Sequence, residues 1–402
     1  MRAGRKILFS LLTFVLSILI LALILGLVEG FFVLNSHHHW VEQPSLKPII
    51  REVQRPDYDL SKLNLDYLRG LQQYPHDHDF PDPSGSSDPD DYRNVFEFHD
   101  CPEGWVTLEP FWAATKNCQA RIRLTKKNSH RVVYDTIYAF DDHARRIIPS
   151  ARPSEEFLVF VGCSYTWGEG YGNESIFPEL VTKSLSPINA YNLGMGGWGP
   201  NHIDLLLRQP TDDIRLTGIS GKRGIAIYTY IDDHIRRALG SISWLANEDA
   251  INDPYFYLDG NGSLQYGGKF MEGRPWLTWL FARLAKSETL KFFRVDWPIA
   301  GNDDMRLFVS VVLDIKARLH DRYGIQTFVL SIYPGELRYV EKIKPLLEAA
   351  GVIVFDFSRV DIYRLLGNRT TIYGNSHPSE VAHKLYADLI SHEMRERGLV
   401  TH

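Results

Sequence analysis

The sequence lacks a basic stripe and an internal repeat, and its net charge is slightly negative. Its 402 residues carry 44 lysines and arginines against 49 aspartates and glutamates, which gives a net charge of -5. Without clustered positive charge the chain has no electrostatic footprint for nucleic acid, so we expect no nucleic-acid partner. The apolar fraction of 44% and the charged fraction of 23% are ordinary for a folded protein.

The N-terminus lacks the small-residue cleavage site, such as Ala-x-Ala, that a secretory signal peptide carries. Arg2, Arg5 and Lys6 precede an uncharged apolar run from Ile7 to Val28. As a helix this run is about 30 Å long, which matches a bilayer core. Because a positive flank stays cytoplasmic, residues 1–36 are predicted to be a single-pass signal anchor in the lipid bilayer, with the C-terminal domain periplasmic or on the cell surface. The alternative is a signal peptide that is removed.

Cysteine is scarce, with three residues in the whole chain. Cys101 and Cys118 bracket a short segment and could pair in an oxidising compartment. Cys163 is then left single, and we expect it to be a buried free thiol, since a side chain directly after a strand usually packs inward. The alternative for Cys163 is that it is itself a nucleophile.

Residues 37–154 are predicted to be a β-rich, membrane-proximal region that contains an acidic loop. The stretch "YPHDHDFPDPSGSSDPDDYRN" is rich in Pro, Ser and Asp and is typical of an exposed loop. Its histidines and aspartates, His76 to Asp79, show no metal-ligand spacing, so we expect no metal and no cofactor. A hairpin is predicted to turn at Lys127-Asn128.

From Phe157 onward, apolar strand-like runs alternate with amphipathic helical patterns. Strands that are apolar on both faces and separated by such helices predict a parallel sheet covered on both sides. The fold class expected for residues 155–402 is therefore an α/β, flavodoxin-like three-layer sandwich. The predicted strands are Phe157–Gly162, Ala190–Leu193, Gly224–Ile231, Gln326–Ile332 and Val352–Phe357.

Polar and glycine residues follow several of these strands at their carboxyl ends, where parallel α/β sheets bind ligands. Ser164 follows the first strand, and the glycines of "NLGMGGWGPN" follow the second. Asp232 and Asp233 follow the third, and His377 comes after the last. A hydroxyl, a base and backbone donors for an oxyanion are what nucleophilic acyl transfer requires.

In these blocks the sequence resembles the SGNH (GDSL-type) hydrolases, over roughly residues 155–398. "FVGCSYTWGEG" is similar to the Gly-Asp-Ser block and implies that Ser164 is the nucleophile. "NLGMGG" is similar to the second block and implies that Gly197 donates to the oxyanion. "YIDDH" occupies the third block, with Asp232 at the position of the oxyanion asparagine. "GNSHPSEVAH" is similar to the last block and implies that His377 is the base.

Two positions depart from the family pattern. Asn375 stands where a carboxylate would orient His377, or Gly374 does if the spacing is three residues. An amide accepts a hydrogen bond from the imidazole but stabilises the imidazolium less than a carboxylate does; Asp233 is a candidate to replace it. An ionised Asp232 cannot donate to an oxyanion, so it must be protonated or turned away.

Two hypotheses of different class follow. The first is a membrane-anchored extracytoplasmic serine esterase or acyl-transfer enzyme acting on an acylated envelope glycan or lipid. The second is an inactive SGNH-like domain that binds such a polysaccharide or lipid or assembles an envelope complex.

An insertion at about residues 238–300 is dense in aromatic residues. It could roof the site and stack on sugar rings or acyl chains. Ordinary packing of a subdomain is the other interpretation of these rings.

Overall fold

The computed structural model describes residues 23–34, 92–99, 105–108, 111–114, 117–126, 132–209, 214–336, 338–372 and 375–400. Residues 23–34 form a helix, α1. Within these ranges, no helix combines the length and the apolar character needed to cross a membrane. Most of the predicted anchor, and all of the predicted acidic loop before residue 92, lie outside the described residues. The signal anchor therefore stays a prediction.

The region before the main sheet is rich in β-structure. The strands are β1 Tyr92–His99, β2 Trp105–Leu108, β3 Phe111–Ala114, β4 Gln119–Lys126 and β5 Val132–Ala139. β4 pairs antiparallel with both β1 and β5, and β2 pairs antiparallel with β3. Cys118 is disulfide-bonded, but Cys101 lies outside the described residues, so their pairing stays a prediction. Cys163 is a buried free thiol, as predicted.

A five-stranded parallel sheet forms the centre of the C-terminal half. Its strands are β6 Glu156–Val161, β7 Asn189–Asn192, β8 Arg223–Tyr230, β11 Thr327–Ile332 and β12 Ile353–Asp356. Each predicted strand is present, with bounds that differ by at most one residue. The spatial order is β12-β11-β8-β6-β7, which is the doubly wound order 2-1-3-4-5 of flavodoxin-like sheets. The strand order reverses between β6 and β8, and ligands bind at this switch point in such folds.

Helices cover both faces of the sheet, because β6 and β8 are buried along almost their whole length. The helix Phe177–Ser184 packs against the helix Glu380–Glu396, and the helices Pro200–Arg208 and Val340–Ala349 pack against the helix Asn302–Tyr323. The helices of the chain after α1 are α2 Ser164–Trp167, α3 Phe177–Ser184, α4 Pro200–Arg208, α5 Asp233–Leu239, α6 Phe270–Gly273, α7 Pro275–Leu284, α8 Glu288–Phe292, α9 Asn302–Tyr323, α10 Val340–Ala349, α11 Ile362–Leu366 and α12 Glu380–Glu396. The 3/4 spacing of apolar residues in the sequence predicts a stripe from Met305 to Leu319, which lies on α9, and one from Val381 to Ile390, which lies on α12. A third predicted stripe, Leu337 to Leu347, lies on α10 from Val340 onward, and Leu337 itself is outside the described residues.

The chain divides into two compact units. The aromatic unit contains α1 together with residues 239–255 and 267–300. Its core is formed by Ile242, Leu245, Ala250, Phe270, Phe281 and Ala285. The α/β unit contains the remaining described residues, including the strands β9 Pro254–Leu258 and β10 Leu264–Lys269 in part.

Candidate active site

The turn that leaves β6 carries Ser164 as the first residue of α2. Gly162 has φ of 157°, and a Cβ there would lie 2.2 Å from Oγ1 of Thr166. Glycine is therefore required for this tight exit from the strand. Ser164 is 3% exposed, and no described residue accepts a hydrogen bond from its backbone N–H. The turn presents a buried serine at the switch point of the sheet.

A buried arginine holds the backbone on the far side of this turn. The Arg146 guanidinium donates to the carbonyls of Trp167 at 2.6 Å and Gly168 at 2.7 Å, and to that of Tyr171 at 2.6 Å. It also lies over the ring of Tyr138, 4.0 Å from its centroid. Burial lowers the pKa of Arg146 to about 10, so the group stays charged at neutral pH. Arg146 is a positioning residue that sequence reasoning missed.

The glycine loop after β7 packs directly onto the turn that carries Ser164. The Asn192 side chain donates to Thr166 O at 3.0 Å and accepts from the Gly194 N–H at 2.9 Å. A Cβ at Gly194 would lie 2.6 Å from the Trp167 nitrogen, so only glycine allows this approach. Gly197 has φ of 76° and is exposed. Among the described residues, its N–H has no acceptor.

His377 is held at Nδ1 by Asn375. The Asn375 Oδ1 accepts from the backbone N–H of His377 at 3.0 Å and also contacts Nδ1. Because the backbone N–H fixes this atom as an acceptor, Nδ1 must carry the proton. The amide of Asn375 therefore occupies the position at Nδ1 that a carboxylate holds in a Ser-His-Asp triad. The alternative candidate, Asp233, contacts Arg236 and Arg237 instead.

The other ring nitrogen of His377 faces a carboxylate that sequence reasoning missed. His377 Nε2 lies 3.2 Å from Oε2 of Glu169, and the Tyr134 hydroxyl donates to Oε1 of Glu169 at 3.3 Å. With Nδ1 protonated, a neutral imidazole presents the lone pair of Nε2 toward this carboxylate, and only a protonated ring could donate a hydrogen bond to it. The only sequence signal for Glu169 is its place in "SYTWGEG", five residues after Ser164.

Tyr165, which follows Ser164, and Ser376, which precedes His377, are hydrogen-bonded to each other. The Tyr165 hydroxyl donates to the carbonyl of Ser376 at 3.0 Å, and the rings of Tyr165 and His377 are 6.0 Å apart in an edge arrangement. Glu169 also donates its backbone N–H to Ser164 O at 3.1 Å. The structure therefore brings Ser164 and His377 to the same sheet edge. In the described chain no hydrogen bond joins the Ser164 hydroxyl to the imidazole.

Asp232 is hydrogen-bonded to residues at the end of β8 and in the segment after β11 and not, among the described residues, to the glycine loop. Its carboxylate accepts from the Tyr230 hydroxyl at 2.9 Å and from the Arg338 N–H at 2.8 Å. Its own N–H donates to Glu336 at 2.8 Å. Burial and the charge of Asp232 raise the pKa of Glu336 to about 8, and burial also raises the pKa of Asp232. Asp232 therefore anchors the segment after β11 through these bonds.

Burial governs the protonation of the candidate base. It lowers the pKa of His377, and the charge of Arg237 lowers it further, whereas the carboxylate of Glu169 opposes the shift. The net direction is downward, which favours a neutral imidazole at pH 7. Arg237 also donates to the Trp198 carbonyl at 2.6 Å, so the same guanidinium positions the glycine loop. Burial raises the pKa of Cys163, which leaves the thiol protonated.

One group of side chains in the described residues has the spacing of metal ligands. Asp141, Asp142 and His143 place one ligand atom each within 4.8 Å of one another. Asp141 already accepts from the backbone N–H groups of His143 and Arg145, both at 2.9 Å. This group is explained as a hydrogen-bonded turn.

A scan against protein-family models found no match, and a search of curated proteins found no relative. Solved structures do resemble the chain. A lipolytic G-D-S-L family protein from Veillonella parvula matches at 12% identity over 58% of this chain and 95% of its own, with a TM-score of 0.33. An acetyl xylan esterase from Butyrivibrio proteoclasticus matches at 13% identity over 69% and 74%, with a TM-score of 0.34.

A third match is an active-site mutant of a family two carbohydrate esterase from Clostridium thermocellum. It is 11% identical over 62% of this chain and 66% of its own, with a TM-score of 0.33. The chain is thus similar to GDSL lipolytic proteins and carbohydrate esterases. At these TM-scores the likeness says nothing about the chemistry of this chain, which rests on its own geometry.

Proposed function

We propose that this chain is a serine-dependent ester hydrolase or acyl-transfer enzyme. The observation that carries the proposal is the contact between the two halves of the site. The hydroxyl of Tyr165, the residue after Ser164, donates a hydrogen bond of 3.0 Å to the carbonyl of Ser376. Ser376 is the residue before His377. A buried serine and an imidazole held at Nδ1 thus share the switch point of the sheet, which is the arrangement that an activated nucleophile requires.

The chemistry follows from these groups. The Ser164 hydroxyl attacks the ester carbonyl carbon while Nε2 of His377 takes its proton. The N–H groups of Ser164 and Gly197 are the available donors for the resulting oxyanion. Collapse breaks the bond to the alcohol, which leaves with the proton from His377. Water or a sugar hydroxyl then attacks the acyl-enzyme by the same steps, which releases the acid or a new ester.

Glu169 sets the resting state of this site. While Glu169 lies against Nε2, its carboxylate occupies the side of the ring at which the imidazole would accept the proton of Ser164. The Glu169 carboxylate must therefore move, or give way to substrate, before the first step. Apo sites often show looser contacts than the complex with substrate, so the resting geometry is compatible with catalysis.

We place this enzyme at the outer face of a membrane, acting on an acylated envelope glycan or lipid. The support is the apolar run from Ile7 to Val28 with its positive flank. The bilayer and the acylated substrate are then the partners of the chain. No cofactor is needed, because hydroxyl, imidazole and backbone donors suffice for acyl transfer.

The alternative is a domain that binds such a substrate without turning it over. The contact between Glu169 and His377 favours it, because the base is already occupied. The amide at Nδ1 favours it as well, since Asn375 stabilises an imidazolium poorly.

Fluorophosphonate labelling of the full-length protein in detergent separates the two. If the chain is an enzyme, the probe labels the wild type, and Ser164→Ala and His377→Ala each abolish labelling. Their double variant should be no worse than either, because the pair acts as a unit. Ser220→Ala is the matched control, since Ser220 is exposed and lies before β8, at the opposite sheet edge. A folded wild type that takes no label would favour the binding domain.

A further inference from the structure

The helix α7 of the aromatic unit carries apolar side chains on both of its sides. Its inner side is packed, with Thr278 and Phe281 almost fully buried. Its outer side exposes Trp276 to 84%, Trp279 to 49% and Leu280 to 42%. A surface helix of a protein in water normally carries polar residues on its outer face. The outer face of α7 therefore suits a solvent other than water.

The exposed apolar surface continues beyond α7. Phe293 is 50% exposed, Trp297 48% and Ile299 79%. The ring of Trp297 contacts Phe281 of α7, with centroids 5.1 Å apart, so the two stretches adjoin. We call the whole surface the aromatic face, and it consists of Trp276, Trp279, Leu280, Phe293, Trp297 and Ile299.

The end of the predicted membrane run docks on this same unit. In α1, Glu29 and Phe32 are the two half-buried residues, and the rest of the helix is exposed. The Glu29 carboxylate accepts from the Ser287 hydroxyl at 2.7 Å and contacts the N–H of Glu288. These bonds cap the first turn of α8. The Phe32 ring lies 4.6 Å from that of Phe292.

Continuity with the anchor identifies what covers the aromatic face. Glu29 is the first charged residue after the apolar run, so it marks where that run leaves the hydrocarbon. The unit whose helix α8 is capped by Glu29 must then lie at the membrane surface. We infer that the aromatic face is seated in the interfacial zone of the bilayer that the N-terminal run spans. The inference rests on the membrane anchoring proposed above.

The chemistry of the aromatic face suits this location. Tryptophan is enriched at bilayer interfaces because its large ring is apolar and its N–H is polar. Residues 269–300 contain six basic and three acidic side chains, and Arg283 and Arg294 are exposed beside the rings. Basic side chains there can reach lipid phosphates while their stems stay apolar. The aromatic-rich insertion is thus assigned a lipid contact rather than a contact with sugar rings.

The test uses full-length protein reconstituted in vesicles of phosphatidylcholine and phosphatidylglycerol with brominated acyl chains. Bromine quenches tryptophans that lie in the bilayer, and acrylamide quenches those in water. We expect the bromine-quenched part of the emission to fall by roughly twofold in the variant Trp276→Phe/Trp279→Phe. Trp244→Phe is the matched control, because Trp244 lies in the same unit with its N–H held by Asp253 at 2.7 Å. Its loss should leave the bromine-quenched part unchanged.

Two results would overturn the inference. Quenching of Trp276 and Trp279 by acrylamide but not by bromine would place the aromatic face in water. Shielding from both quenchers would place it against protein, most simply a second copy of the chain. A failure of the proposed membrane anchoring can be told apart from these results. In that case neither the wild type nor any variant would bind to the vesicles.

Discussion

The two units of this chain differ in the exposure of their aromatic residues, although the aromatic unit also buries Phe270 and Phe281 in its own core. In the α/β unit, large rings such as Phe160, Tyr228 and Tyr386 are fully buried. In the aromatic unit, Trp276 is 84% exposed and is the most exposed large apolar side chain of the described residues. Aromatic content alone does not separate these cases. Exposure does, because it shows which rings hold a core together and which remain available to a partner.

The buried charged groups of the described residues all lie in the α/β unit. The α/β unit buries Arg146, Asp204 and Ser164, and each lies at a junction between elements. A buried polar group is costly unless it is bonded, so such groups persist where they position something. Substitutions should therefore be severe in the α/β unit when they remove a buried polar group, and mild in the aromatic unit when they remove an exposed ring.

Among changes to buried polar groups, the largest stability effect is expected from Arg146→Met. This change leaves the carbonyls of Trp167, Gly168 and Tyr171 without their donor inside the fold. Each buried acceptor that loses its donor costs about 1–3 kcal/mol, so the change should cost about 3–5 kcal/mol in total. We expect a fall of that size in the free energy of unfolding, measured in urea, together with loss of fluorophosphonate labelling.

Arg152→Met is the matched control for this prediction. Arg152 also donates to two carbonyls, those of Pro149 and Ala151, but on an exposed surface. Its loss should change stability by less than about 0.5 kcal/mol. Equal effects of the two substitutions would mean that Arg146 does not position the nucleophile turn.

The next effect concerns the rate of acylation. Glu169→Ala removes the carboxylate at Nε2 of His377, so the imidazole becomes free to accept the proton of Ser164. If the chain is an enzyme, labelling should become about threefold to tenfold faster. The acidic limb of the rate profile should also move to lower pH, because Glu169 opposes the downward shift of the His377 pKa.

Glu174→Ala serves as the control here, since Glu174 is an exposed carboxylate on the same segment. It should leave both the labelling rate and the acidic limb in place. Slower labelling of Glu169→Ala with an unmoved limb would show that Glu169 assists the reaction instead of occupying the base.

The sequence predicted the sheet because long apolar strands and amphipathic helices leave a strong periodic pattern. This pattern predicted all five strands and the apolar stripes on α9, α10 and α12. The strand-end rule also brought Ser164 and His377 to one edge. Glu169 and Arg146 could not be found from the sequence, because their roles depend on tertiary contacts. Glu169 lies against His377, and Arg146 donates to the backbone carbonyls after Ser164. The exposure of the outer face of α7 could not be predicted from the sequence either, because a helix with apolar residues on all sides is also typical of a buried core helix.

A smaller effect should appear in the pH dependence of stability. Asp204 is fully buried between Arg208 and Arg318, at 2.9 Å and 3.2 Å. Burial, together with a hydrogen bond to Asp314, raises the pKa of Asp204 to about 7. The stabilising contribution of this raised pKa is fully present below about pH 4 and is lost as the pH rises through about 7.

Asp204→Asn removes the titrating proton from this network. The Tm of the wild type should therefore fall more steeply between pH 5 and pH 8 than that of the variant, even though the variant starts lower. Asp303→Asn, at an exposed residue of α9, should keep the slope of the wild type. Parallel slopes for all three proteins would exclude Asp204 as the group that titrates.

The smallest effect on stability is expected from the residues that stand out most on the surface. Trp279 is 49% exposed on the outer side of α7, whereas Phe281, two residues later, is 1% exposed in the core of the same unit. Trp279→Ser should change the unfolding free energy in detergent by less than about 0.5 kcal/mol, as other exposed substitutions do. Phe281→Ala should cost about 3–5 kcal/mol, because it opens a cavity. A large loss from Trp279→Ser would mean that the exposed ring belongs to the fold and not to a lipid contact.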